Sequence, residues 1–281
     1  MDPTFAPAYV GLADVYGELG TASLGAPPAE MRPKAIKLAR KALELDPGIA
    51  EAHTLLGNLQ QEQFHWIDAE AEYRRALELD PNDADAHAGL AYWMLSQGRT
   101  DEAVAWIQRG REIDPFRVTG GELGFALFQS HRFDQAIHEL HSALAVRPDD
   151  ADALLYLGFA LIANNQPADA IPALEKAVSV SNGSPAATGV LIRAYAHAGR
   201  RGDALRLLAE PRKRSKEEYI PAAAFVNAYL GLGDNDQAFA WLEQAYKEQS
   251  NILQFLKTHP YFEPIRADPR FVDLVRRVGL E

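Results

Sequence analysis

The stretch AEAEYRRALELDPNDADAHAGLAYWMLSQGRTDEAVAWIQRGREIDP, residues 69–115, contains one pattern twice. Ala69 and Ala103 stand 34 residues apart, as do Ala76 and Gly110, and the pairs Asp80-Pro81 and Asp114-Pro115. Working outward, the same alanine recurs at Ala35, Ala136, Ala170, Ala204 and Ala238, so the seven are separated by 34, 34, 33, 34, 34 and 34 residues. A period of this length, with apolar residues at helical spacing inside it, marks a repeated helix–turn–helix unit. Bare or methyl-only side chains let paired helices approach closely. Proline in Asp46-Pro47, Asp80-Pro81, Asp114-Pro115 and Arg147-Pro148 stops one helix, and an acidic residue can cap the next.

Repeats therefore start at Ala6, Ala50, Ala84, Arg117, Ala151, Pro185 and Tyr219. They divide region 1–252 into 6–49, 50–83, 84–116, 117–150, 151–184, 185–218 and 219–252, and leave 253–281 as a C-terminal capping segment. On the first helix of each repeat a mostly small residue recurs at Ala13, Gly57, Ala91, Gly124, Gly158, Ile192 and Val226. On the second helix another recurs at Ala42, Ala76, Gly110, Ala143, Ala177, Pro211 and Ala245. This pattern resembles the tetratricopeptide repeat family. The resemblance implies an all-α, right-handed superhelical solenoid of about seven helix–turn–helix units with a C-terminal cap. The cap has a physical reason, since an array has an apolar face at each end that must be covered. In the tail Phe271, Leu274 and Val275 form the face expected to dock, with Asp273, Arg276 and Arg277 opposite.

Three departures modify the pattern. About ten extra residues within 20–32, Pro27-Pro28 among them, are expected in the loop between the helices of the first repeat. Pro211 and the basic run Arg212-Lys213-Arg214-Ser215-Lys216 are expected to end the second helix of the sixth repeat early, leaving a hinge or solvated linker. Met1-Asp2-Pro3 reads like the end of a preceding repeat, which suggests a chain cut from something longer.

A closer resemblance lies in Tyr219-Ile220-Pro221, the run from Tyr229 to Asp234, the run from Ala238 to Glu243, and Asp268-Pro269-Arg270-Phe271. Gln63-Phe64-His65-Trp66 with Ala69-Glu70 and Tyr73-Arg74-Arg75-Ala76 adds to it. These runs are similar to the tetratricopeptide regions that follow bacterial winged-helix regulators, adenylate cyclases and serine/threonine kinases. The resemblance implies a regulatory or sensory region of a larger signalling protein, with no catalytic centre of its own and binding a protein or peptide.

Composition narrows the classes. The 281 residues carry 28 Lys and Arg against 39 Asp and Glu, a formal charge of −11, which disfavours direct binding of nucleic acid. The absence of cysteine excludes disulfides, thiolate metal sites and cysteine nucleophiles. No apolar run reaches the roughly 20 residues that span a bilayer, so membrane insertion is not expected. The expected location is the cytoplasm, or the periplasm if a membrane helix lies upstream.

The resemblance places ligand-facing positions on the first helix of each repeat. At one end these are acidic and polar: Asp14, Glu18, Glu51, Thr54, Asn58, Gln61 and Glu62. In the middle they are Tyr92, Leu95, Phe125, Phe128, Leu155, Phe159 and Ile162, and later Arg193 and His197 supply the cationic spot. An exposed row of this kind marks a hydrophobic groove for a peptide or amphipathic helix, with Arg193 and His197 able to orient an acidic ligand. Two alternatives are curvature that buries these residues against neighbouring repeats, and a groove that the chain fills itself. A third is a homo-oligomeric scaffold with the aromatic patch buried between copies. A carboxylate clamp of lysine, arginine and asparagine is disfavoured, because the corresponding positions hold Asp14, Asn58, Asp85 and Gly89, with no lysine or arginine.

Other clusters have simpler explanations. His131, His138 and His141 with Asp134 lack HxxxH spacing and read as a solvated helix face, so neither metal nor cofactor is expected. Residues 80–85 lack the glycine and glutamate of a calcium loop, and Gly120-Gly121-Glu122-Leu123-Gly124 lacks the strand that precedes a phosphate loop. Asn182-Gly183-Ser184 is followed by Pro185 and is discounted as a glycosylation site.

Overall fold

A computed structural model describes residues 4–20, 26–217 and 219–281. Met1-Asp2-Pro3 and positions 21–25 of the expected insertion lie outside the described residues. The chain forms two compact bodies, Met1–Val118 and Thr119–Glu281. The first holds α1 (Ala6–Leu19), α2 (Pro28–Leu45), α3 (Ala50–Glu62), α4 (Trp66–Leu79), α5 (Ala84–Ser96) and α6 (Thr100–Ile113). The second holds α7 (Gly120–Gln129), α8 (Phe133–Val146), α9 (Ala151–Ala163), α10 (Pro167–Val180), α11 (Pro185–His197), α12 (Arg201–Arg214), α13 (Ala222–Leu232) and α14 (Asn235–Lys247). Two short 3-10 helices follow, Asn251–Phe255 and Pro260–Ile265, and then α15 (Pro269–Val278). There is no strand among the described residues, and each body is a stack of helix pairs, so the fold is an all-α solenoid.

The small residues hold the pairs together. All seven register alanines, Ala35, Ala69, Ala103, Ala136, Ala170, Ala204 and Ala238, are fully buried. A Cβ built on Gly124 would sit 2.4 Å from Cγ of Leu140, and one on Gly57 would sit 2.6 Å from Cε1 of Tyr73. Leu140 and Tyr73 occupy the same place in their repeats, so the glycine on each of these two first helices receives a bulky side chain of the second. In the second body Gly189 lies against the backbone of Ala224, where a Cβ would meet the carbonyl oxygen at 2.4 Å, so α11 and α13 touch almost backbone to backbone.

The Asp-Pro junctions work through local hydrogen bonds. Asp46, Asp80 and Asp114 each follow a helix and accept from the N–H two residues on, at 2.9 Å, which closes the turn around the proline. Asp83 and Asp150 cap the next helices, accepting from Ala86 and Ala153 at 2.9 and 3.0 Å. At the fourth repeat α7 opens three residues after Arg117, because Thr119 and Glu122 form a reciprocal capping box there.

Several expectations change. Residues 28–32 belong to α2 rather than to a loop, since Pro28 at the first helical position has no N–H to leave unpaired. Pro211 does not shorten α12, which has the same 14 residues as α10. Proline so near a helix end removes a single hydrogen bond, and Arg212, Lys213 and Arg214 in the last turn favour the negative end of the helix dipole. Arg212, Lys213 and Arg214 are therefore the exposed end of a helix rather than a linker, and Ser215 and Lys216 follow it in a turn. On α15 the docked face is Phe271, Leu274 and Val278, while Val275 is half-buried.

The first helix carries an open apolar edge. Val15 is 54% exposed, whereas its counterparts Leu59 and Trp93 are 2% and 7% exposed. Trp93 faces the preceding repeat, where its Nε1 donates to the carbonyl of Trp66 at 2.9 Å. No helix among the described residues precedes α1 to cover Val15 in the same way.

Candidate functional site

Within the first body the expected groove positions are largely tied up internally. Asn58 is exposed but accepts the Tyr73 hydroxyl at 2.8 Å, and Thr54 donates to Asp83 at 2.7 Å. Glu62 pairs with the buried Arg32 at 2.6 Å; burial pushes the Glu62 carboxyl up and the guanidinium opposes that shift. Tyr92 is half-buried and Leu95 fully buried. Asn58, Thr54 and Glu62 are thus engaged within the body, and Leu95 is core rather than groove lining.

In the second body α7, α9 and α11 bring Phe125, Phe128, Phe159, Ile162 and Arg193 onto one inner face, with Leu155 half-buried and His197 exposed beside them. The five are buried, contrary to an open groove. Much of the cover comes from the chain itself. Phe255 meets Phe125 edge-on with centroids 5.3 Å apart, and His259 stands edge-on to both Phe128 and Phe159, at 5.1 and 5.3 Å. Tyr261 contacts Phe159 at 5.0 Å, and its ring lies 3.5 Å under the Arg193 guanidinium. Phe128 and Phe159 stack on each other at 5.7 Å, so the face presents a flat aromatic floor whose neighbours bind edge-on. The self-filled alternative describes this body, and the patch is not open to a second copy in this state.

The segment over the floor, residues 251–265, is short 3-10 pieces because Pro260 and Pro264 interrupt any longer helix. His259 caps the second piece by accepting the Tyr261 N–H at 3.3 Å through Nδ1, which places its ring proton on Nε2. The Arg266 guanidinium donates to the His259 carbonyl at 3.3 Å. Burial, then the charges of Arg193 and Arg266, hold the His259 imidazole down to about 3, so it is neutral in the folded chain. Burial also pushes the Tyr261 phenol up and brings Arg193 down to about 10.

Arg193 is the exceptional group. It is 4% exposed, no carboxylate among the described residues pairs with it, and its Nε and Nη1 have no hydrogen-bond acceptor. A cation–π contact with Tyr261 contributes on the order of 2 kcal/mol when desolvated. Removing an unpaired cation from water costs several kcal/mol even after relaxation. The cost exceeds the gain, so the docked segment stays in place by its aromatic contacts and in spite of Arg193. The hydroxyls of Tyr261 and Thr258 on the docked segment are also buried without partners, as are both amide atoms of Gln129 on α7.

Reading the sequence for repeats missed Phe255, His259 and Tyr261, which lie in the tail assigned only to capping. The available signal was density: Phe255, His259, Tyr261 and Phe262 fall within eight residues, too many rings for a solvated segment. The histidines of the fourth repeat do not converge: His131 faces Glu263 at 3.3 Å, and Asp134 accepts instead from Asn164 at 2.9 Å. Among the described residues no group of three His, Asp or Glu side chains could hold a metal ion, and no helix is long and apolar enough to cross a membrane.

Comparison with known proteins agrees with the fold. Two family models described as tetratricopeptide repeat match the chain, one over residues 122–187 and the other over 61–118 and 161–226. Together they take in more than half of the 281 residues. No curated protein matches the chain. Among solved structures, PilW, a widely conserved type IV pilus biogenesis factor, is 17% identical with a TM-score of 0.57, covering 73% of this chain and 94% of its own. The APC/C hetero-tetramer Cut9-Hcn1 is 17% identical with a TM-score of 0.60 over 88% of this chain, which spans 46% of that chain's length. At such identity the likeness shows the helical repeat fold alone.

Proposed function

Because this chain belongs to the tetratricopeptide repeat family, we propose that it is a non-catalytic protein-interaction module whose second body holds a peptide or helix of another protein against α7, α9 and α11. The observation that carries this reading is that the face already holds a peptide segment, residues 251–265, through edge-on aromatic contacts. A surface that binds one aromatic segment in cis has the shape and chemistry to bind another in trans. The alternative of a homo-oligomeric scaffold finds its patch already covered. The resemblance of residues 219–271 to the endings of bacterial regulator, cyclase and kinase regions supports a cytoplasmic regulatory arm of a signalling protein.

The test is photo-crosslinking from the half-buried Leu155 on α9, replaced by benzoylphenylalanine in cells that make the protein. Intermolecular adducts with other proteins are expected. Adducts confined to residues 251–265 of the same chain would overturn the reading and leave the segment as a permanent cap.

A further inference from the structure

The group that the docked segment leaves unsatisfied indicates what would replace it. Arg193 is buried, its Nε and Nη1 lack acceptors, and the ring of Tyr261 occupies one of its faces at 3.5 Å. Arg266 donates to the His259 carbonyl and leaves its own Nε unpartnered, so a second guanidinium lies near the same rings. The buried hydroxyls of Tyr261 and Thr258 belong to the resident segment and go unpaired while it is docked, which weakens its hold. In a chain of net charge −11, no carboxylate among the described residues pairs with Arg193, which reaches the floor of Phe128 and Phe159 through the Tyr261 ring. A buried guanidinium with no anion beside it fits a carboxylate, because charge-assisted hydrogen bonds are the strong ones and a planar guanidinium matches that anion.

We propose that the inner face of α7, α9 and α11 is a site for an acidic, aromatic segment of a partner protein, whose carboxylate pairs with Arg193 while its ring takes the place of Tyr261 on Phe128 and Phe159, and that residues 251–265 are the resident this segment displaces. The inference rests on the reading of the second body as a peptide-holding module and adds the ligand's chemistry and its competitor. The competition sets the logic of the site. An acidic segment supplies what the resident lacks at Arg193, whereas a neutral aromatic segment gains nothing over it. Specificity comes from the difference between the two occupants rather than from the aromatic contacts they share.

The experiment uses the full chain and two dye-labelled dodecapeptides, each with phenylalanine and, four residues later, either glutamate or its isostere glutamine. Binding is followed by fluorescence anisotropy to the wild type, Tyr261→Ala and Arg193→Gln. The glutamate peptide should bind Tyr261→Ala at least tenfold more tightly than it binds the wild type, and at least tenfold more tightly than the glutamine peptide binds Tyr261→Ala. Arg193→Gln should abolish the discrimination. Equal binding of both peptides to Tyr261→Ala overturns the carboxylate assignment and leaves the peptide-holding reading standing. Binding of neither peptide to a variant that still melts cooperatively overturns both. Hydrogen exchange on the wild type keeps the test alive if Tyr261→Ala does not fold. Millimolar glutamate peptide should then speed amide exchange in residues 253–261 severalfold and the glutamine peptide should not; equal or absent changes refute the proposal.

Discussion

Acidification should release the aromatic segment, and the size of the effect follows from His259. Its imidazole is held down to about 3 in the folded chain, against 6.5 when exposed. Between those values the unfolded or undocked segment binds a proton that the docked one refuses, so docking is unaffected above pH 6.5 and weakens steadily as pH falls below it. Near pH 4.5 the loss is about 3 kcal/mol, two decades of proton concentration at about 1.4 kcal/mol each. The charged groups acting on His259 are Arg193 from α11 and Arg266 from its own segment, and both oppose protonation. Lifting 251–265 off the floor relieves the penalty at lower cost than unfolding α7 to α14, so the change should be local. Amide exchange by mass spectrometry at pH 7 and near pH 4.5, corrected for intrinsic rates, should show protection in 253–261 falling on the order of a hundredfold while α9 and α10 keep theirs. In His259→Gln, which retains an acceptor for the Tyr261 N–H but cannot be protonated, the pH dependence should vanish. Parallel loss of protection in wild type and variant would refute the assignment of the effect to His259.

Three further outcomes test the packing. Ala136→Leu forces a larger side chain into a fully buried position and should cost about 1–3 kcal/mol in a denaturant melt. Gly158→Ala brings a Cβ to 2.4 Å from Leu174 and should destabilise by about 1–3 kcal/mol, whereas Gly202→Ala, with nothing within 4 Å on an exposed helix, should stabilise by up to about 1 kcal/mol in the same assay. Val15→Glu on the open edge of α1 should shift stability by less than about 0.5 kcal/mol, while Leu59→Glu at the equivalent buried position should cost several kcal/mol, read as melting temperatures by circular dichroism.

Local and periodic information made the helices legible. An alanine every 34 residues can only be a packing constraint repeated at every stacked pair, and the Asp-Pro signal is closed by hydrogen bonds spanning two or three residues. Pro28 and Pro211 misled because proline is disfavoured inside helices but tolerated at a first turn, and costs one hydrogen bond near the last.

The inner face was harder to read, for a reason that bears on function. Phe125, Phe128 and Phe159 were identified as ring positions on first helices, but whether a ring is exposed depends on what lies over it. Here that cover comes from Phe255, His259 and Tyr261, about a hundred or more residues away in sequence and outside the repeat, so no period could register the pairing. Arg193 shows the same limit from the other side. In sequence it stands at the repeat position that carries Phe125 and Phe159, and only its burial without a carboxylate partner among the described residues, a property of the folded chain, makes it unusual. Were the tail simply a cap, a leucine or methionine at position 193 would pack the same surface without the desolvation cost. A cation at that place fits the anionic partner proposed above, against which the resident segment would be the weaker of two occupants.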